Sequence, residues 1–233
     1  MNDKPTCIEL SNISFQWPQT QSPLISIEHL SIDYGEHLFI QGASGSGKST
    51  FLNLLTGVLT PTTGIISILN QRLDSLAHYQ RDQFRADHFG VIFQQFNLIP
   101  YLNVLENVAL PLSFSAYKHK RAELLNSDTS KQALRILEAL GISSELANQN
   151  VTQLSTGQQQ RVAAARALIG TPEIIIADEP TSSLDEDAKH DFINLLFKEA
   201  EKFNSTLVFV SHDKSLASNF SRTMHINDYN NLT

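Results

Sequence analysis

Hydrophobic residues near the start of the chain alternate with polar ones. A period of two is typical of strands that bury one face. The alternating apolar residues are Ile8, Leu10, Ile13, Phe15, Ile25, Ile27, Leu30 and Ile32. This pattern predicts short antiparallel strands near the N-terminus, and a further apolar run at residues 64–69 predicts another strand.

Longer apolar runs appear elsewhere and are separated by helical spacing. Residues 173–177, apolar after Glu173, and residues 206–210 flank a helical stretch at 187–203. A run at 37–40 ends at a glycine-rich stretch, after which residues 51–55 have helical spacing. Continuous apolar strands that alternate with helices indicate a parallel sheet covered on both faces.

Between the predicted strands, the hydrophobic period changes to that of amphipathic helices. The apolar positions are Ala122, Leu124, Leu125, Ala133, Leu134, Ile136, Leu137 and Leu140. Gly141 is placed to end the second of these helices, and a further helix is predicted at 162–168. The fold class is therefore α/β, with a mostly helical insert at roughly 95–155.

Composition narrows the possible functions. The chain has 233 residues, a formal net charge of −7 and a single cysteine, Cys7. The negative charge argues against a nucleic-acid partner, and one cysteine excludes a disulfide framework. The opening MNDKPTCIEL lacks the apolar core of a signal peptide, and no apolar run approaches the roughly 18 residues that span a bilayer. We expect a soluble, cytoplasmic protein, and any membrane role would have to come through a partner.

The stretch QGASGSGKST carries the first chemical signal. Residues 42–49 fit the phosphate-binding P-loop pattern G-x-x-x-x-G-K-[ST]. Glycines let backbone N–H groups approach an anion, and a following helix directs its positive end at the same place. A flexible glycine-serine turn is the alternative, but the predicted strand before and helix after the stretch favour phosphate binding. The predicted contacts are Gly42, Ala43, Ser44, Gly45, Ser46, Gly47, Lys48, Ser49 and Thr50.

Charged and polar residues follow two of the predicted core strands. Asp178 and Glu179 come directly after the 173–177 run, and His212 follows the 206–210 run. Asp178 is placed to hold Mg²⁺ with the Ser49 hydroxyl, and Glu179 to orient or deprotonate a water. Two solvated turn residues are the alternative for the carboxylates, which the upstream P-loop disfavours. His212 is a candidate contact for a terminal phosphate.

A further motif, LSTGQ at residues 154–158, is similar to the LSGGQ signature of ATP-binding cassette transporters. The P-loop, a glutamine segment, this signature, Asp-Glu, Ser-Leu-Asp and a histidine occur in that family's order, so the chain resembles its nucleotide-binding subunit. The resemblance implies a P-loop NTPase (RecA-like) core, an N-terminal antiparallel β subdomain and an inserted helical subdomain. The core would cover about 1–94 and 156–233 of the single domain, and the helical part about 95–155.

The resemblance also implies roles for residues outside the P-loop. Gln94 matches the glutamine that senses Mg²⁺ and the membrane partner, although its neighbour Gln95 leaves the register open. Trp17 matches an aromatic residue that stacks on adenine, with Phe15 as the alternative. The implied catalytic residues are Glu179, His212 and Gln94, and the implied metal ligands are Ser49, Gln94 and Asp178. The implied contacts across a dimer are Ser155, Thr156, Gly157, Gln158 and Asp185.

Two positions depart from the family's pattern. Thr156 replaces the first signature glycine, where the backbone must approach a phosphate, and Val151 stands where many members have proline. Both bear on the strength of closure around ATP. Residues 93–100 and 105–112 resemble the branch that serves lipoprotein release, macrolide export and cell-division complexes.

The resemblance implies a mechanism as well. Two copies would hold two ATP and Mg²⁺ between them and drive an integral membrane permease from the cytoplasmic face of the inner membrane. Export or extraction of hydrophobic or lipid-linked cargo is the leading hypothesis. An ATPase that transmits force to cell-wall regulators without transport is the alternative. A cassette protein acting on ribosomes or DNA is disfavoured by the acidic charge.

Overall fold

The computed structural model describes residues 5–18, 20–126 and 128–229. The chain forms two compact units. The first contains the residues up to Arg85 and those from Thr206 onward, and the second contains Ala86–Ser205. These units differ from the division predicted from the motifs, in which the helical part covers about residues 95–155. The predicted division stays a prediction. Helices within the described ranges are too short or too polar to cross a membrane.

The strands and helices have the following bounds. The strands are β1 (Thr6–Phe15), β2 (Ile25–Asp33), β3 (His37–Gln41), β4 (Thr63–Ile68), β5 (Gln71–Arg72), β6 (Phe89–Ile92), β7 (Ile174–Asp178), β8 (Thr206–Ser211) and β9 (Arg222–His225). The helices are α1 (Lys48–Leu55), α2 (His78–His88), α3 (Val104–Ala109), α4 (Ala116–Asn126), α5 (Thr129–Ala139), α6 (Thr156–Leu168) and α7 (Glu186–Lys202).

An antiparallel sheet in the first unit has the order β2-β1-β4-β5. The predicted alternation is confirmed, because the apolar positions of β1 and β2 are buried and pair in register, as at Leu10 with Leu30 and Ile13 with Ile27. Gly64 is required where β4 meets β1. Its φ is +93°, and a Cβ there would lie 2.3 Å from the Asn12 carbonyl oxygen.

The first unit also contains three parallel strands, with β3 between β8 and β9. Every residue of β3 is buried, as expected for the central strand of a parallel sheet. The last residue of β3, Gln41, pairs with Ser211 of β8 and with His225 of β9. The glycine-rich stretch and His212 therefore leave neighbouring strands at the same edge of this sheet.

The second unit combines the parallel pair β6 and β7 with helices α3 to α7. Helix α6 is almost entirely buried from Val162 to Leu168, and its alanines allow close packing by neighbouring elements. The helical periodicity of the insert is confirmed by α4 and α5, and Gly141 follows α5 with a φ of +76°. Leu124 and Leu125 do not lie on a buried face, however, since they are 77% and 47% exposed.

A charged cluster connects α4 to the residue that precedes β7. The Glu173 carboxylate accepts hydrogen bonds from Tyr117 Oη (2.5 Å) and the Arg121 guanidinium, and lies 3.1 Å from His88 Nδ1. Burial acts to raise the pKa of Glu173. The hydrogen bonds from His88 and Tyr117 and the charge of Arg121 outweigh that effect and lower the pKa to about 2.

We expect Glu173→Gln to destabilise the fold by about 1–2 kcal/mol at pH 7, less than the full pKa shift implies because solvent screens the partly exposed cluster. Because the pKa is lowered from 4.5 to about 2, the stabilisation is present above pH 4.5 and is lost as the pH falls from 4.5 toward 2. Urea unfolding at a series of pH values measures both effects. The control is Glu138→Gln, at an exposed position of α5. Equal acid sensitivity of Glu173→Gln and the native chain would contradict this assignment.

Candidate nucleotide-binding site

The glycine-rich stretch forms a tight cradle between β3 and α1. Gly45 and Gly47 have φ values of +78° and +89°, a region that glycine enters without steric cost. A Cβ on Gly42 would lie 2.3 Å from Ile226 Cγ2 and 2.4 Å from Ser46 Oγ, so only hydrogen is accommodated there. The backbone can therefore approach a phosphate group closely, as a P-loop requires.

The ammonium group of Lys48 is bound by backbone carbonyl groups of the same loop. Lys48 is buried, and its Nζ donates to the carbonyl oxygens of Gly42 (2.7 Å) and Ala43 (2.8 Å). Ser49 is exposed in the first turn of α1, which contains no acidic residue. Backbone N–H groups, an ammonium group and a hydroxyl are thus assembled at a helix N-terminus, and this donor set fits a nucleotide triphosphate with its magnesium ion.

His212 lies at the same sheet edge as the cradle. It is exposed and follows Ser211, which pairs with the last residue of β3. The next residue, Asp213, donates its backbone N–H to Ser211 Oγ (3.1 Å) and caps the short 3-10 turn at Lys214–Asn219. This turn redirects the chain directly after His212.

The two candidate aromatic residues near β1 differ in exposure. Phe15 is 6% exposed, whereas Trp17 is 42% exposed. Their rings pack edge to face, with centroids 5.0 Å apart. Phe15 is therefore a core residue that packs against Trp17, and Trp17 is the more exposed of the two; stacking on adenine stays a prediction.

In the second unit, Asp178 is the last residue of β7 and Glu179 follows it directly. Asp178 is partly buried, and Glu179 is 7% exposed with a φ of +47°. A non-glycine residue in this left-handed region costs roughly 1–2 kcal/mol. Backbone strain of this kind is concentrated at functional sites, where the surrounding structure holds it in place.

The segment from Thr181 to Asp185 connects these carboxylates to α7. Thr181 is buried, and its carbonyl accepts from the Leu184 backbone N–H (3.2 Å). Asp185 is the N-cap of α7, and its side chain accepts from the Ala188 backbone N–H (2.9 Å). Asp185 is exposed, as a contact across a dimer requires.

The signature motif begins helix α6. Ser155 is the N-cap, its Oγ accepts from the Gln158 backbone N–H (3.3 Å), and the Gln158 side chain accepts from the Ser155 backbone N–H (2.9 Å). This capping box leaves Ser155 exposed at the positive end of the helix. Thr156 is the first helical residue and is also exposed, while Val151 is buried in the turn before the motif.

The glutamine segment, residues 93–95, follows β6 as an exposed turn. Both Gln94 and Gln95 are exposed, so their exposure does not show which of them matches the family's glutamine. The backbone directly after them is contacted by Arg166 of α6, which the sequence patterns did not single out.

The possible magnesium ligands are sparse. In the part of the chain that the structure describes, no group of three or more His, Cys, Asp or Glu side chains is placed to hold a metal ion. Ser49 in the first unit, and Gln94 and Asp178 in the second, are the candidate ligands. Magnesium takes most of its ligands from phosphate and water, so few protein ligands are needed, and the role of each of these residues stays a prediction.

Comparison with known proteins identifies the class. Residues 26–182 match the family model described as ABC transporter. The chain belongs to this family, and it is an ATP-binding ATPase subunit with the P-loop NTPase fold. The family resemblance, fold class and enzyme class predicted from the sequence are confirmed.

Three relatives indicate the branch of the family. The uncharacterized ABC transporter ATP-binding protein MJ0796 of Methanocaldococcus jannaschii is 39% identical over 223 residues, covering 95% of this chain and 93% of that protein. The lipoprotein-releasing system ATP-binding protein LolD of Acinetobacter baylyi is 38% identical over 199 residues, covering 85% and 84%. The macrolide export ATP-binding/permease protein MacB of Burkholderia thailandensis is 36% identical over 225 residues, covering 95% of this chain but 33% of MacB.

A solved structure of MJ0796 matches as well. It is a dimeric post-hydrolysis state bound to ADP and Pi, with a TM-score of 0.79, 37% identity, and coverage of 94% of this chain and 93% of that one. A second dimeric structure of MJ0796 has the same TM-score of 0.79.

Proposed function

We propose that two copies of this chain bind two ATP molecules with Mg²⁺ between them, and that hydrolysis drives a membrane permease subunit. The observation that carries this proposal is that each chain has one P-loop cradle and one signature, whose exposed, capped N-terminus of α6 is a second phosphate-binding element. A second copy provides a signature to each P-loop, and MJ0796 is dimeric in its solved structures.

Within each site, the residues have separate tasks. Residues 42–50 hold the phosphates, with Lys48 supplying charge and Ser49 a magnesium ligand. Asp178 would help to hold magnesium, and Glu179 accepts the proton of the attacking water. His212 contacts the terminal phosphate, from the sheet edge that it shares with the cradle.

The remaining contacts orient the nucleotide and connect the copies. Trp17, which is partly exposed, stacks on adenine. Ser155 and residues 156–158 direct hydroxyl and backbone donors at the terminal phosphate in the other copy. Asp185 lies at the contact between copies, and Gln94 responds to magnesium and to the permease.

The cargo is proposed to be hydrophobic or lipid-linked, exported or extracted from the membrane. The names of LolD and MacB, a lipoprotein-releasing and a macrolide export protein, support this class over force transmission alone. The chain would act as a peripheral subunit on the cytoplasmic face of the inner membrane, bound to an integral permease. Co-purification of a membrane protein with the tagged chain, followed by ATPase assays in lipid vesicles, tests this part.

Mixing two inactive variants tests the shared sites directly. Lys48→Ala disables the P-loop, and Ser155→Arg disables the signature. In a mixed dimer, one site receives both defects and the other receives neither. We expect each variant alone to have little ATPase activity and an equimolar mixture to recover roughly a quarter of the native rate, because half of the dimers are mixed and each has one intact site.

The control for the mixing experiment is a chain that carries both substitutions, mixed with either single variant. Every site in those mixtures contains at least one defect, so no recovery is expected. Failure of the two single variants to complement each other, while both remain folded and bind to the native chain, would contradict the shared site.

A further inference from the structure

The backbone after the glutamine segment has an unfavourable conformation, which contacts from another element must stabilise. Phe96 and Asn97 have φ values of +58° and +50°. Two consecutive non-glycine residues in the left-handed region cost roughly 1–2 kcal/mol each, so this turn is not maintained by its own preferences.

The element that holds this turn is the signature helix. Arg166 of α6 is 9% exposed, and its guanidinium donates from Nη1 to the Asn97 carbonyl (2.6 Å) and from Nη2 to the Phe96 carbonyl (2.5 Å). The left-handed turn directs two successive carbonyl groups to one place, and the planar fork of arginine matches that arrangement. A lysine ammonium at this position lacks the fork geometry.

Helix α6 also contacts the strand that leads into the glutamine segment. A Cβ on Gly90 of β6 would lie 2.0 Å from the carbonyl oxygen of Ala167, the residue after Arg166. The backbones of β6 and α6 are therefore in direct contact beside Arg166. The glutamine segment is bound to α6 on both sides, before it through Gly90 and after it through Arg166.

The chain beyond Asn97 is fixed as well. Asn107 is fully buried, its Oδ1 accepts from the Ile99 backbone N–H (2.7 Å), and its Nδ2 donates to the carbonyls of Ile99 (3.1 Å) and Asn103 (3.0 Å). Asn150 donates to the Pro100 carbonyl (2.9 Å). The exposed residues Phe93–Gln95 thus lie between two anchored segments.

We propose that Arg166 is a positioning residue that couples the glutamine segment to the signature. Ser155 caps one end of α6 and Arg166 lies near the other, about 15 Å away along the helix axis. Because one helix holds both features, a displacement of the signature on dimer closure moves the anchor of Gln94. This inference rests on the proposed function of the two motifs and adds Arg166 to the residues proposed for hydrolysis.

Hydrogen exchange of the purified chain tests the anchoring without any assay of activity. We expect Arg166→Met to accelerate amide exchange in a peptide covering 94–102 by about tenfold or more, and Arg166→Lys to have an intermediate effect. The matched control is Arg161→Met, because Arg161 is on the same helix and donates to a carbonyl outside the segment, that of Leu140 (2.8 Å). Exchange at 94–102 that is unchanged in both Arg166 variants would overturn the anchoring.

A double-mutant comparison then tests the coupling to hydrolysis. We expect Arg166→Met to lower kcat about tenfold while Arg161→Met has little effect, and we expect the Arg166→Met/Gln94→Ala double variant to resemble Gln94→Ala within about twofold. Additive losses would overturn the assignment of Arg166 to the glutamine segment. If Arg166→Met does not fold, Arg166→Lys serves in both measurements. Absence of ATPase activity in the native chain would refute the proposed function and leave the exchange result intact.

Discussion

Glu179→Gln is expected to reduce kcat for ATP hydrolysis by about 10³-fold while ATP binding is retained. The amide has the shape of the carboxylate but cannot accept a proton from water. Glu179 follows β7 directly and has a φ of +47°. Phosphate release measures turnover, and light scattering after gel filtration with ATP measures the dimer, which is expected to persist.

The control for this experiment is Glu186→Gln. Glu186 lies seven positions further along the chain, is exposed, and pairs with Lys189 on the surface of α7 (2.7 Å). Near-native turnover is expected for it. If Glu179→Gln were to hydrolyse ATP at the native rate, another group would have to be the base.

Lys48→Ala is expected to weaken ATP binding by about 100-fold, which corresponds to about 2.7 kcal/mol. The variant loses the ammonium group that is buried in the cradle, and alanine cannot supply a charge-assisted hydrogen bond to phosphate. Isothermal titration calorimetry with ATP and Mg²⁺ measures the affinity. The control is Lys131→Ala, on the exposed side of α5.

Lys48 also bonds to the carbonyls of Gly42 and Ala43, so the thermal stability of Lys48→Ala is measured in parallel. A folded variant that binds ATP with native affinity would remove Lys48 from the phosphate site. An equal loss of ATP affinity in Lys131→Ala would indicate a general effect of removing a positive charge.

The elements predicted from the sequence are those in which local burial gives the apolar residues a regular period or a continuous run. Strands β1, β2, β7 and β8 and helices α5 and α7 are of this kind. Helix α2 was missed because HYQRDQFRADH presents no apolar stripe, and none of its residues is buried. Strand β6 was missed because it has four residues and includes Gly90, whose need for a small side chain arises from α6.

The residues of the candidate site also differ in whether they can be recognised from the sequence alone. A P-loop is a local backbone structure, so its residue types and spacing can be recognised in the sequence. Arg166 could not be recognised, because its partners lie 69 and 70 residues away and are carbonyl groups, which every residue has. The choice between Phe15 and Trp17 also required the packing of the strand, since both are aromatic and only exposure separates them.

Because Glu179 has a left-handed backbone, a substitution there that raises thermal stability is expected to lower ATP turnover. Glycine there would relieve the conformational cost and remove the carboxylate at the same time. Laboratory selection for heat resistance alone would therefore favour loss of the proposed proton acceptor at this position, and directed evolution of the chain would need to score ATP consumption alongside melting temperature.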